Sequence, residues 1–213
     1  MRHPYTVPRL SDADMLEQAN ATRAHLESRR TVRHFAPDEV PETVIEQLVM
    51  AASTAPSGAH RQPWHFVAVR DLVTKKKIRE AAEVEERRNY GGRMPEEWVH
   101  ALAPLGTDAN KPYLEVAPWL IAVFAQDRGA EGRNYYVSES VGIAVGMLLA
   151  AVHDAGLVAV THTPNPMKFL KDILGRPAGE RAYMLLAVGH PAQGCTVPQL
   201  MRKGPEQVLT VIG

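Results

Sequence analysis

Residues 28–35 read Ser28-Arg29-Arg30-Thr31-Val32-Arg33-His34-Phe35, with three arginines in five positions just after a segment patterned as a helix. Arginine suits an anionic group because its planar fork donates two parallel charge-assisted hydrogen bonds. A solvated basic helix end, where the helix dipole favours cations, uses the same residues. The run alone does not separate the two readings.

Outward from this run, the elements alternate in kind. On its N-terminal side, Ser11 followed by Asp14 reads as a helix N-cap, opening a polar-faced helix to about Glu27. On its C-terminal side, Pro37-Asp38-Glu39-Val40-Pro41 is a turn, and Pro41 opens a helix with Val44, Ile45, Leu48, Val49 and Ala52 on one stripe. That helix stops near Ala55-Pro56-Ser57-Gly58. Strands are expected at 64–69, 118–125, 157–161 and 184–189, with helices at about 72–90, 136–155 and 166–174. Gly156 suits a left-handed cap after the 136–155 helix. Residues 93–111 have weak periodicity and several turn residues, and read as a mobile excursion outside the core. Strands separated by helices predict an α/β or α+β layered sandwich.

Composition narrows the functions open to such a fold. Lys+Arg and Asp+Glu are balanced at 24 each over 213 residues, so no global field attracts nucleic acid or an anionic membrane. Cys195 is the single cysteine, which excludes an intramolecular disulfide and a cysteine-based zinc or iron–sulfur site, and suits a reducing, cytoplasmic compartment. No metal is expected, since the nine histidines show no ligand spacing on a helix. The segment from Met1 to Tyr5 has no apolar core behind it, which argues against a signal peptide. The apolar run Val141–Val152 is shorter than the roughly 20 residues of a bilayer span and reads as a core helix. The common phosphate-loop and zinc-protease motifs are absent from the sequence.

Three further groups can carry chemistry. Ser57-Gly58-Ala59 can present backbone N–H groups and a hydroxyl to a ligand, or be an ordinary turn. Thr161-His162-Thr163-Pro164 closes a strand, where hydroxyls can face a ligand or cap the strand. Glu86 and Tyr90 lie four apart on one helix face, within a charged run that also suits a solvated helix side. Lys111 follows, unmarked by its neighbours. Gly142 and Gly146 allow close helix packing, including across a dimer interface.

In this order the pieces resemble the nitroreductase superfamily of flavin enzymes, and more narrowly its iodotyrosine deiodinase branch. The resemblance runs from about Arg23 to Gln207. It is carried by the arginine run, Ala55–Ala59 with Gln62-Pro63-Trp64, Leu157–Pro164, Leu174-Gly175-Arg176-Pro177, and Thr196-Val197-Pro198 with Arg202-Lys203. Glu86-x-x-x-Tyr90 followed by Lys111 belongs to the deiodinase branch.

The resemblance implies a three-layer α+β sandwich with a central mixed or antiparallel sheet, spanning 1–213 as one FMN-binding domain and forming an intertwined homodimer. FMN would lie at the subunit interface. Arg29, Arg30, Thr31, Val32, Arg33 and Arg202 would hold its phosphate and polar edge, with threonine at 31 where the family usually has serine. Ser57 and Gly58 would reach it from the partner subunit. Thr163 would approach flavin N5 as the catalytic contact, with Thr161 and His162 lining the same strand end.

Residues 86–111 would form a lid, in which Glu86 takes the ammonium of a halotyrosine while Tyr90 and Lys111 take its carboxylate. The backbone N–H of Ala59 would hold the phenolate. The implied activity is FMN-dependent reductive dehalogenation, with NAD(P)H or a separate reductase as electron source. The alternatives are a broad NAD(P)H-dependent nitro- or quinone reductase, and a flavin-binding protein without turnover. Animal deiodinases carry an N-terminal membrane anchor; its absence from this sequence implies a soluble, bacterial form.

Overall fold

In a computed structural model of the chain, which describes residues 3–213, four strands build one antiparallel sheet. Met1 and Arg2, the start of the segment read for a signal peptide, lie outside the described residues. The strands are β1 (Trp64–Val69), β2 (Trp119–Gln126), β5 (Val158–His162) and β6 (Glu180–Gly189), in the spatial order β1-β2-β6-β5. A short hairpin, β3 (Arg128–Gly129) and β4 (Gly132–Arg133), stands apart from it.

Side-chain parity along these strands sorts the core into two layers. Trp119, Ile121, Val123, Ala159, Leu186 and Val188 face one side, where they pack with residues of α2 (Glu42–Ser53) and α6 (Val137–Asp154). Leu120, Ala122, Phe124, Val160, Leu185 and Ala187 face the other, against α3 (Leu72–Arg88), α5 (Tyr113–Val116) and α7 (Lys168–Ile173). β2 is buried over almost its whole length because both its faces are covered. A bulge between Val123 and Phe124 skips Tyr183 in the β2–β6 register, so Tyr183 and Met184 both pack on the α2/α6 side. This is the expected α+β three-layer sandwich.

Several boundaries fall close to expectation, including β1 at 64–69, α6 at 137–154 and the Gly156 cap with φ +74°. α6 is long and apolar enough to cross a membrane by length and composition, and here one of its faces packs on α2, β2 and β5. α1 (Asp12–Ser28) buries no residue within the chain. The expectation for 93–111 needs correction: the segment carries helix α4 (Glu96–Leu102), followed by a 3₁₀ turn at Ala103–Leu105. It is built on a π-helical turn, Asn89–Arg93, that continues α3.

One long-range bridge places the arginine run. Thr31 pairs in parallel with Ala159 of β5, and the N–H of Val32 donates to the Ala159 carbonyl at 3.1 Å. Val32 is thereby pinned with its side chain buried. Two residues on along both segments, Arg33 comes alongside Thr161 at the open end of β5.

Candidate active site

Two cavities meet at Arg33. The first, of about 300 Å³, is lined by Arg29, Arg30, Thr31, Arg33 and Arg202, together with Pro198, Leu200 and Met201 and with Leu105 from the 3₁₀ turn. Main-chain carbonyls hold two of its arginines in place. Arg30 donates to the Pro198 carbonyl, and Arg202 donates to those of Glu27 and Arg29 at 2.9 and 3.2 Å. None of Arg29, Arg30, Arg33 and Arg202 forms an ion pair with a described acidic residue. Positive charge gathered without an acidic partner is suited to a doubly charged phosphate. The donor set therefore fits the phosphate end of a nucleotide-like cofactor.

The second cavity, also about 300 Å³, lies between the end of β5 and the 86–111 segment. Glu86, Asn89, Tyr90, Arg93, Trp98, Lys111 and Tyr113 line it from the helical side, and Arg33, Thr161, His162, Thr163 and Asn165 from the sheet side. Glu86 sits near the C-terminal end of α3, on its buried stripe with Ile78 and Ala82. Lys111 is 3 % exposed, just ahead of the buried Tyr113 and Leu114. Its Nζ donates to Thr107 Oγ1 at 3.1 Å and to the Asp108 carbonyl, and its main-chain N–H donates to Glu83 at 2.9 Å. The Tyr90 hydroxyl donates to the Thr107 carbonyl at 3.2 Å, and Lys111 Nζ lies 5.6 Å from the Tyr90 ring centroid.

Burial dominates the electrostatics of this cavity. It pushes the Glu86 carboxyl above its ordinary range, and the Lys111 ammonium partly offsets the shift. It lowers Lys111, against the opposing pull of Glu86 and Asp108. His162 is held down to about 3 by desolvation, with Lys111 and Arg33 adding to the effect, so its imidazole is neutral at physiological pH. Desolvation likewise keeps the Tyr90 and Tyr113 hydroxyls protonated. The cavity thus presents one carboxylate, Glu86, three cations, Arg33, Lys111 and the Glu85-paired Arg93, and neutral donors, a set complementary to a zwitterion.

The anticipated residues divide into three groups. Glu86, Tyr90, Lys111, Thr161, His162 and Thr163 share the second cavity, and Arg29, Arg30, Thr31, Arg33 and Arg202 the first. His162 points toward Glu86 rather than into the arginine cavity. Val32, buried beside β5, and Ser57, Gly58 and Ala59 line neither cavity within this chain. There, Ser57 Oγ accepts from the Gln62 N–H at 2.9 Å and the Gly58 N–H donates to Ser140 Oγ at 3.4 Å. A Cβ at Gly58 would meet the Tyr135 carbonyl oxygen at 2.7 Å. Ala59, His60 and Gln62 all have positive φ, near +50°, which costs roughly 1–2 kcal/mol for each L-residue. Backbone strain of this kind clusters at ligand and partner sites.

Sequence reading did not single out Asn89, Arg93, Trp98 or Tyr113. Arg93 ties the π turn to its surroundings, donating to Glu85 at 2.6 Å and to the Asn165 carbonyl at 3.2 Å. Only the spacing Glu86–Asn89–Arg93, which repeats a helical face, could have suggested the first two.

A mostly antiparallel α+β sandwich with an arginine cradle at one strand end and an acid–base cavity beside it defines a cofactor-binding oxidoreductase scaffold. The nitroreductase family profile matches residues 26–190. The chain is 52% identical over 213 residues to an iodotyrosine deiodinase of Haliscomenobacter hydrossis, covering 98% of this chain and 96% of that one. It is 44% identical to iodotyrosine deiodinase 1 of Mus musculus, covering 98% of this chain and 75% of the mouse protein. A crystal structure of oxidized iodotyrosine deiodinase bound to FMN and 3-iodo-L-tyrosine superimposes with a TM-score of 0.78 at 29% identity, covering 90% of this chain and 98% of that one. The chain belongs to the nitroreductase family and, within it, to the iodotyrosine deiodinases.

Proposed function

We propose that the protein is an FMN-dependent oxidoreductase that reductively dehalogenates halotyrosines, converting iodotyrosine to tyrosine and iodide. The observation that carries this reading is the second cavity, where buried Glu86 is combined with Tyr90 and Lys111 beside the arginine cradle. A substrate ammonium would pair with Glu86, and its carboxylate with Tyr90 and Lys111. Charge-assisted hydrogen bonds contribute about 1.5–3 kcal/mol each, so three of them separate an amino acid from a plain phenol by several decades in affinity.

FMN, when bound, supplies the two electrons and a surface on which the ring stacks. Arg29, Arg30, Arg33 and Arg202, with the Thr31 hydroxyl, would hold its phosphate and polar edge. The Thr163 hydroxyl would donate to flavin N5, with Thr161 beside it. Ser57 and Gly58 would approach from a second subunit, and the Ala59 N–H would hold the phenolate oxygen. Their strained turn, lining neither cavity of its own chain, supports a homodimer with a composite site.

Residues 86–111 would act as the lid of one FMN-binding domain spanning 1–213. Ordering backbone costs about 1–2 kcal/mol per residue, so ring stacking and desolvation must add to the zwitterion contacts if the lid is to close. We place the enzyme in the cytoplasm, with NAD(P)H or a separate reductase as reductant and no nucleic-acid or membrane partner. The test is anaerobic: reduce the FMN-loaded protein, add 3-iodotyrosine, and follow flavin reoxidation and tyrosine release. Rapid nitrofuran reduction without halotyrosine turnover would assign it instead as a nitroreductase of broad specificity.

A further inference from the structure

Among the described residues lining the second cavity, His162 alone has a fully buried side-chain polar atom without a hydrogen-bond partner. It is 7 % exposed, its Nδ1 lies 3.3 Å from the Tyr113 hydroxyl, and its Nε2 is buried with no hydrogen-bond partner among the described residues. That free nitrogen is aimed at Glu86, 3.7 Å from Oε1. The Tyr113 ring stands edge-on to the imidazole at 90°, which holds the ring plane.

These contacts select a tautomer. If the Tyr113 hydroxyl donates to Nδ1, the proton sits on Nε2 and faces an anionic carboxylate. The opposite tautomer would leave the Tyr113 proton without an acceptor and set the Nε2 lone pair against the Glu86 oxygens. Only the first arrangement satisfies both ends. A contraction of about 0.5–1 Å, of the size expected as a lid settles, would bring Nε2–H within hydrogen-bond distance of Glu86.

We propose that His162 is a positioning residue for Glu86, forming with Tyr113 a neutral relay that orients the carboxylate toward a substrate ammonium. This rests on the zwitterion reading given above. Neutrality is what makes the relay useful. Lys111, Arg33 and the Glu85-paired Arg93 already supply cations to the cavity, and a further charge on His162 would pair with Glu86 internally and repel the incoming ammonium. A neutral donor holds the carboxylate in place and leaves its charge for the ligand.

The test compares ligands on the FMN-loaded protein. 3-Iodotyrosine and 2-iodophenol are titrated by quenching of flavin fluorescence, with FMN content and thermal midpoint recorded for each variant. His162→Leu removes the donor, and His162→Gln restores an N–H at the position of Nε2. One lost hydrogen bond to a charged group predicts about tenfold weaker iodotyrosine binding for His162→Leu, at most about twofold weaker iodophenol binding, and recovery of most of the loss by His162→Gln. Equal losses for both ligands, or for both variants, would overturn the relay. Should His162→Leu fail to fold, Tyr113→Phe carries the test: the same selective loss supports the relay, and an unchanged preference for iodotyrosine overturns it. A wild-type protein that binds both ligands equally would refute the zwitterion reading beneath the proposal.

Discussion

Glu86 and Lys111 take meaning only from each other. In sequence, Glu86 stands within the charged run Glu83–Arg88, and Lys111 follows a stretch of turn residues. In the fold both are almost fully buried on one cavity, and each shifts the other's titration against the pull of desolvation. Glu86→Gln and Lys111→Ala should each weaken iodotyrosine binding about tenfold to a hundredfold while sparing iodophenol, as loss of a charge-assisted bond requires. Isothermal titration of the FMN-loaded variants measures both ligands. Arg33 shows why such pairings stay hidden from a linear reading: it reaches both cavities through a bridge between Thr31 and Ala159, a contact that neither segment signals locally.

Among elements, legibility follows burial. β1, β2 and α6 carry apolar patterns long enough to announce themselves, and their observed limits lie within a residue or two of expectation. β6 starts earlier than its apolar stretch, because Glu180 enters the sheet buried against Arg176 and Gln126. α4 escaped notice because it buries no residue and so carries no apolar stripe to mark it in the sequence. α6 is the element on which the α2/α6 layer depends. Leu148, fully buried between α2 and the sheet, should cost about 2–5 kcal/mol when cut to alanine, read as a lower midpoint in urea unfolding.

For the whole molecule, the apolar surface left open is as telling as the core. α1 buries nothing within the chain, and Ile143 on α6 is 46% exposed beside Gly142. In the proposed homodimer, a second copy packed on α6 would cover Ile143 and bring a strained 57–62 turn to the opposite site. Ile143→Glu should therefore give a monomer with weakened FMN retention, seen together by sedimentation and absorbance at the flavin band. Acid stability tests the other end of the fold. Arg176 donates to Glu180 at 2.7 and 2.8 Å, and this hydrogen bonding holds the Glu180 carboxyl below its ordinary range. A lowered folded-state pKa contributes stability above the unfolded value, near 4.3, that disappears as pH falls through the folded value. Glu180→Gln should cost about 2 kcal/mol at neutral pH, with the difference from wild type closing below about pH 4. Denaturant midpoints at the two pH values measure it.

The central claim is that the arginine cradle and the acid–base cavity together make a halotyrosine dehalogenase. The most direct measurement is a single turnover of the anaerobically reduced, FMN-loaded protein with 3-iodotyrosine. The account predicts flavin reoxidation accompanied by one equivalent each of tyrosine and iodide. Flavin that stays reduced in the presence of iodotyrosine, or is reoxidised without tyrosine, would contradict it.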